Sequence, residues 1–431
     1  MNYSLGNMLS RGGALNPDGL ALDLQFAADK TLTARKGPAP TFTRASTATF
    51  VGSDGLIQSA AINTPRFDHD PVTLACKGLL IEESRTNLLL HSANFKNTTS
   101  SYWDNVSATT VTVDQTTSPD GGVNADLLTT SAAAFDCFTR RNNIFVGSTQ
   151  YTYSIFLKQG PSNHRYVGLY IGAGINAAQF PFFDFNNPTV VQIPSGTLVG
   201  TINSTRVDAF PNGWYRVSIT FTTAVTPIVV YAGVYIAASN GALPVTSTAG
   251  LNAYIWGIQV ELGSFPTSYI PTTTASVVRS ADVCSITGSN FSGFYNQSEG
   301  TMLANAFTPA SGDRTVLAAD DDTANEMIRL RTEGTNPFFK VTDGGSDVVA
   351  IDAGTVTANT AFKLIGAYKV NNFASSINGG SAVTDTTGAI PTVDRMRIGA
   401  GQGGNTMCGC ISAIRYYKKR LPDAKLQSLT T

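Results

Sequence analysis

The chain has 431 residues, only 14% of them charged, and a formal net charge of −1 at pH 7. No basic tract or arginine-rich stripe interrupts that balance, which removes nucleic acid and anionic membrane surfaces from the expected partners. The longest uncharged apolar stretch, residues 228–238 (IVVYAGVYIAA), falls well short of the roughly 20 residues a membrane helix needs, so no membrane insertion is expected.

The length suits two or three domains, each with its own core. With 40 Gly, 19 Pro, 23 Phe and 15 Tyr, abundant Thr, Ser and Asn, and almost no amphipathic helical stripe, the chain reads as all-β and built of many short strands. The opening residues MNYSLGNMLSRGG lack the basic, apolar and small-residue order of a secretory signal, which points to synthesis and assembly in a cytoplasm.

Residues 1–95 are expected to form an irregular region with short strands at 21–27 and 41–50. In TFTRASTATF, strand alternation places Arg44 on a face with Phe42 and Phe50. If that face is buried, Arg44 needs an acidic partner. Gly52-Ser53-Asp54-Gly55 is a turn, and 65–71 (PRFDHDP), bounded by prolines, is extended. Residues 96–275 present successive strands at 150–158, 165–171, 181–185, 213–222, 228–238 and 253–261, joined by Gly, Pro and Asn turns. This pattern fits an antiparallel jelly-roll sandwich. A proline- and threonine-rich crossing, 264–278, leads into residues 276–431. There the strand candidates are 300–307, 326–331, 337–342, 361–370, 375–378, 395–398 and 410–417, before a short helix at 422–428. The fold expected is therefore an irregular N-terminal region followed by two antiparallel β-sandwiches in series.

Possible chemistry is sparse. Asp68-His69-Asp70 lies on extended backbone, where neighbours face opposite sides and cannot converge on a metal. Glu82 and Glu83 would likewise diverge if 79–85 is a strand, unlike a glycosidase pair, whose carboxyl groups face each other across a sugar. The structural reading is that one of them pairs with Arg44, Arg66 or Arg85, in this subunit or another. Three histidines (His69, His91, His164) with no nucleophile motif leave little for hydrolysis.

Asp320, Asp321, Asp322 and Glu326 form the densest acidic cluster and are the weak candidates for a calcium site, although the EF-hand spacing is missing. No other cofactor is expected. Trp103, Trp214, Tyr215 and Trp256 are candidates for stacking on sugar rings, against the alternative that they pack in a core. The five cysteines (Cys76, Cys137, Cys284, Cys408, Cys410) suit buried thiols better than a disulfide framework or a zinc site. The glycine-rich run 399–405 lacks the ending of a phosphate loop and reads as a turn.

Residues 41–73 (TFTRASTATFVGSDGLIQSAAINTPRFDHDPVT) with 78–95 (GLLIEESRTNLLLHSANF) resemble a segment of bacteriophage head-spike, head-fibre and related tail-fibre proteins. PNGWYRVSITFT (211–222) and YIWGIQVELGSFPTSYIPTTTASVVRSADV (254–283) resemble the carbohydrate-binding-module-like jelly roll that follows that segment. FKLIGAYKVNNFASSINGG (362–380), RMRIGAG (395–401) and ISAIRYYKKRLPDAKLQSL (411–429) resemble a laminin-G or concanavalin-like sandwich. The resemblance implies a non-enzymatic virion structural protein, a homotrimeric head spike or decoration protein that touches other capsid or tail proteins and host glycans. Residues 1–95 would then be the attachment and oligomerisation region. The alternative is a tail fibre or tailspike that recognises host polysaccharide; the repeated strand coils expected of a depolymerase are not visible in this sequence.

Overall fold

The computed structural model describes residues 18–96, 102–106, 109–131, 138–141, 145–173, 181–193, 200–225, 230–237, 248–402 and 404–431. Cys137 and the opening MNYSLGNMLSRGG lie outside them. Strands dominate, every ladder between named strands is antiparallel, and the larger sheets stack as sandwiches. Among the described residues no helix is long and apolar enough to cross a membrane.

Sheet I has eight strands, in the order Val383–Asp385, Phe373–Ile377, Ala361–Lys369, Glu299–Phe307, Gly409–Tyr417, Cys76–Ile81, Phe67–His69, with Leu20–Leu24 also paired to Gly409–Tyr417. Sheet II has seven: Thr41–Thr43, Val283–Thr287, Arg395–Ile398, Arg314–Asp320, Met327–Glu333, Asn336–Asp343, Ser346–Asp352. Strands from the first 81 residues thus share both sheets with strands from the last 150 or so. Registers such as Leu24 opposite Ile414 and Phe42 opposite Cys284 fix this. The core between the two sheets mixes both ends of the chain: Leu22, Leu24, Phe26, Leu79 and Ile81 pack with Met302, Ile328, Phe339, Tyr368 and Ile414, all buried.

Between these two ends runs a second sandwich. Sheet III orders Gly200–Phe210, Trp214–Thr223, Gln150–Gln159, Asn252–Leu262, Val123–Thr130 and Thr109–Thr117. Sheet IV orders Val191–Gln192, Phe182–Asp184, Tyr166–Ala173, Val230–Ile236, Phe138–Arg141 and Asp104–Val106. Alternation sends Tyr151, Tyr153, Ile155 and Leu157 into the core between these sheets, against Val167, Leu169 and Val234. Their neighbours Thr152, Ser154 and Phe156 turn to the opposite face of sheet III, and that face is buried too.

A bulge preserves this division on Asn252–Leu262. The register slips between Ser154 and Phe156, and Gly257 sits at φ +62°. Ile255 and Ile258 therefore both face inward, while Trp256 and Gln259 both face outward. A Cβ on Gly257 would stand 2.9 Å from the Phe156 ring, so the close approach as well as the torsion calls for glycine.

Several stretches depart from the expected elements, among them residues 21–27, where the strand Leu20–Leu24 gives way to a short helix, Phe26–Asp29. Residues 41–50 form two strands, Thr41–Thr43 and Ala48–Val51, because Arg44 leaves the ladder and spends its donors on backbone carbonyls of Ser46 and Ala61. Residues 79–85 are not one strand. Cys76–Ile81 ends before Glu82, and Arg85–Asn87 begins a new ladder with Val277–Arg279.

Candidate functional site

The chain crosses between the two sandwiches twice, at 82–95 and at 264–282, and the crossings are joined to each other. The Leu88 N–H donates to the Val260 carbonyl, His91 to Thr273 and Ser92 to Thr272, at 2.8–3.2 Å. Asn87, fully buried, donates to the carbonyls of Ile258 and Ile270 and accepts from the N–H groups of Leu89 and Val260. The amide thereby satisfies its full hydrogen-bonding capacity inside protein.

Where the crossings leave the first sandwich, five charged side chains meet in the interior. Glu82, just past the end of its strand, accepts from Arg66 Nη1 at 2.7 Å, from Arg279 Nη1, and from the Ser268 N–H and hydroxyl, both at 2.7 Å. Asp282 accepts from Arg66 Nη2 at 2.6 Å, from Arg44 Nη1 at 3.1 Å and from the Glu82 N–H at 2.8 Å. Arg66 further donates to the Thr49 carbonyl and Arg279 to the Glu83 carbonyl. The side chains of Arg44, Arg66 and Asp282 are wholly inaccessible to solvent.

The electrostatics follow from this packing. Burial alone would raise the Glu82 carboxyl, but the charges of Arg279 and Arg66 and the two Ser268 donors outweigh it and hold its pKa near 2. Arg44 is pushed below the usual guanidinium range by burial and by the like charge of Arg66. Three guanidiniums around two carboxylates form a network in which removing one acid strands a buried cation. An acid held near 2, with its oxygens occupied, is ionised at neutral pH and has no proton to give. Glu82 is therefore unsuited to general-acid chemistry there.

Of the residues singled out in the sequence, the structure brings Arg44, Arg66 and Glu82 together. Glu83 turns outward and takes Arg85 instead, Nε to Oε1 at 2.7 Å, while the Arg85 guanidinium lies over the Phe265 ring. Asp282, Arg279 and Ser268 complete the cluster and were not singled out. Their only sequence signal was the position of SADV at the end of the 254–283 stretch, about 200 residues from Glu82.

The three tryptophan candidates do not present faces to solvent. Trp214 and Trp256 are buried with Phe156, Ile57 and Tyr269 on the outer face of sheet III, beneath the hairpin formed by Ala48–Val51 and Ile57–Ala60. Trp214 Nε1 donates to the Thr117 carbonyl, and the Trp256 ring lies 4.6 Å from that of Tyr269. Trp103 is buried against Phe95 and Tyr102. Tyr215, half-buried, packs on Phe183 and Phe185. A sugar stacks on an open ring face, and the three tryptophan rings are covered by protein.

The acidic cluster is likewise occupied. Asp320, buried, accepts from Arg397 Nε at 2.9 Å, and Asp322 is held by Arg395 and Arg397. Asp321 accepts from Thr323, and Glu326 from the Gly344 N–H. Two arginines stand where a cation would have to bind, and among the described residues no group of three or more His, Cys, Asp or Glu side chains is placed to hold a metal ion. Asp68 and Asp70 share a side with Lys77, and His69 turns away from them. Asp68 accepts from the Val51 N–H, His69 Nδ1 contacts the Val51 carbonyl, and Asp70 caps the 70–73 turn. Cys408 precedes its strand at φ +47° rather than sharing a strand face with Cys410; both thiols are buried, unbridged and pushed up by burial.

No protein-family model matches the chain, and no curated protein matches it. Among solved structures, the chain is similar to the CBM40 of a Ruminococcus gnavus IT-sialidase bound to α2,3-sialyllactose, at 17% identity over 33% of this chain and 88% of that one, with a TM-score of 0.29. The LG4-5 domains of mouse laminin α1 give 10% identity over 80% and 91%, TM-score 0.26. The CBM22 tandem of Paenibacillus barcinonensis Xyn10C gives 8% over 78% and 97%, TM-score 0.27. The neighbours are carbohydrate-binding and laminin-G-type sandwiches, but superpositions this slight carry no argument about ligand or activity. The sandwich architecture rests on the ladders described above.

Proposed function

We propose that the chain is a non-enzymatic structural protein of a bacteriophage particle, a head spike or fibre displayed on the virion surface as a homotrimer, with its sandwiches available to host surface glycans. One observation carries the reading. The stretches that resemble the phage spike segment, 41–73 and 78–95, supply Arg44, Arg66 and Glu82, and 254–283, which resembles the jelly roll that follows that segment, supplies Arg279 and Asp282. What is specific in those stretches is thus a buried joint between two sandwiches, a feature of a rigid projecting part. In this proposal the folding units follow sheet membership: one sandwich shared by the two ends of the chain, and the jelly roll of roughly 96–275 between them. Assembly would take place in the host cytoplasm.

Immunogold labelling of purified virions with antibody against the chain tests this. Label on the head is the expected result; label confined to the tail moves the assignment to a tail fibre, and particles without label overturn it. Light scattering on the purified chain is expected to give three times 45.4 kDa, and a monomeric mass would remove the trimer from the proposal.

A further inference from the structure

We infer that the hollow between the two sandwiches is a binding site for a neutral oligosaccharide. It encloses about 400 Å³, within the range of small-ligand sites. One wall is Asp68, Asp70 and Lys77 from the first sandwich; the other is Arg206, Asp208 and Phe210 on Gly200–Phe210, the edge strand of sheet III. The charged groups are already matched within each wall. Lys77 Nζ stands 4.0 Å from Asp68 and 3.9 Å from Asp70, and Arg206 grips Asp208 through Nε and Nη2 at 2.7–2.9 Å. All five side chains keep between 15% and 37% of their surface exposed, so a ligand can reach them.

Matched pairs of this kind offer donors and acceptors side by side with little net charge. Lys77 is close enough to its acids for attraction but too far for hydrogen bonds, which leaves its three donors unspent. Arg216, also in the lining, donates to the Thr267 carbonyl and the Ser154 hydroxyl and so is held in place by protein. The apolar remainder includes Phe210 and Phe265. Vicinal hydroxyls, each donor and acceptor at once, on a ring with apolar C–H faces meet all of these demands. A phosphate or carboxylate meets four acids (Asp68, Asp70, Glu82 and Asp208) against three cations (Lys77, Arg206 and Arg216), so the balance does not favour it.

The hollow also continues. A neighbouring depression of about 320 Å³ shares Arg206, Phe265, Pro266 and Pro309 with it and adds the hydroxyls of Ser204 and Thr205. A groove in two compartments fits a chain of sugar units better than a single one.

The inference rests on the reading of the chain as a surface protein that meets glycans, and its test is separate from virion labelling. The full chain is titrated with maltotriose, cellotriose, xylotriose and lactose, and with 3′-sialyllactose as the acidic counterpart of lactose, by saturation-transfer NMR and calorimetry. At least one neutral sugar is expected to bind, with 3′-sialyllactose weaker than lactose. Asp208→Asn and Lys77→Met are each expected to weaken binding tenfold or more, with unchanged circular dichroism; having two positions on opposite walls guards against a variant that misfolds. Asp347→Asn, on the far edge of sheet II, is expected to bind as the parent does. Binding unchanged in both cleft variants overturns the site while leaving a glycan-binding surface protein intact. Silence across the whole panel, or tighter binding of 3′-sialyllactose, overturns the neutral-sugar assignment.

Discussion

Replacing Asp282 with asparagine would test whether the buried charge cluster holds the two sandwiches together. The substitution keeps the shape and removes the charge that faces Arg44 and Arg66, both of them wholly buried. Asp282 accepts two charge-assisted hydrogen bonds, at 2.6 and 3.1 Å, and one from the Glu82 N–H at 2.8 Å. Hydrogen bonds to charged groups are worth about 1.5–3 kcal/mol each, and breaking a buried pair by removing one partner costs about 3–5 kcal/mol. The two routes agree on about 3–5 kcal/mol. At about 2–4 °C per kcal/mol for units of 150–250 residues, the melting temperature of the first sandwich should fall by about 6–20 °C in scanning calorimetry at pH 7. Asp29→Asn, which removes the solvent-exposed partner of Arg35, is the control and should leave the transition in place. An Asp282→Asn transition within about 1 °C of the parent would refute the argument, because it would mean that two buried guanidiniums do without their carboxylate.

Glu82 gives the same sandwich an acid limit: its folded pKa near 2 lies below the ordinary 4.5, so its contribution is complete above about 4.5 and is lost as the pH falls towards 2. Stability curves from pH 6 to pH 2 should show that loss, of the order of 3 kcal/mol, and Glu82→Gln should abolish the slope. Asp126, in the second sandwich, behaves oppositely, since burial raises its pKa to about 6 against the N–H donors of Phe95 and Asp114. The folded state holds that proton more tightly, so stability is greatest below about 4 and declines as pH rises to about 6; Asp126→Asn should flatten the decline in urea titrations. Gly366→Ala would put a Cβ 2.1 Å from the Phe339 ring, a buried core residue, and should destabilise the first sandwich by about 1–3 kcal/mol in denaturant melts.

Much of the architecture was legible because strands announce themselves locally. Residues 395–398 and 410–417 carry the alternation and turn residues of half-buried strands, and they are found at Arg395–Ile398 and Gly409–Tyr417. Arg44 was readable as a cation in need of an acid, since strand alternation puts it on a face with Phe42 and Phe50. The identity of that acid was not, because Asp282 lies 238 residues away and only the closed fold brings it within reach. Arg314–Asp320 was missed for another reason: every position is buried, so no alternation marks it. The tryptophans were ambiguous by nature. Periodicity tells which residues share a face of sheet III but not that both faces are covered, and the cover comes from the hairpin ending at Ala60, about 150 residues before Trp214.

The pairing of Leu20–Leu24 with Gly409–Tyr417 also sets an order of events during synthesis. The strands of sheets III and IV all lie between residues 104 and 262, so the second sandwich can close while the ribosome is still extending the chain. Sheet I cannot, because its inner strands wait for residues near the end, and closure over such separations is slow. Until then Leu22, Leu24 and Phe26 have no core to enter and Arg44 and Arg66 have no carboxylate from Asp282. A chain released early, at residue 400, would unseat its own beginning as surely as it lost its end.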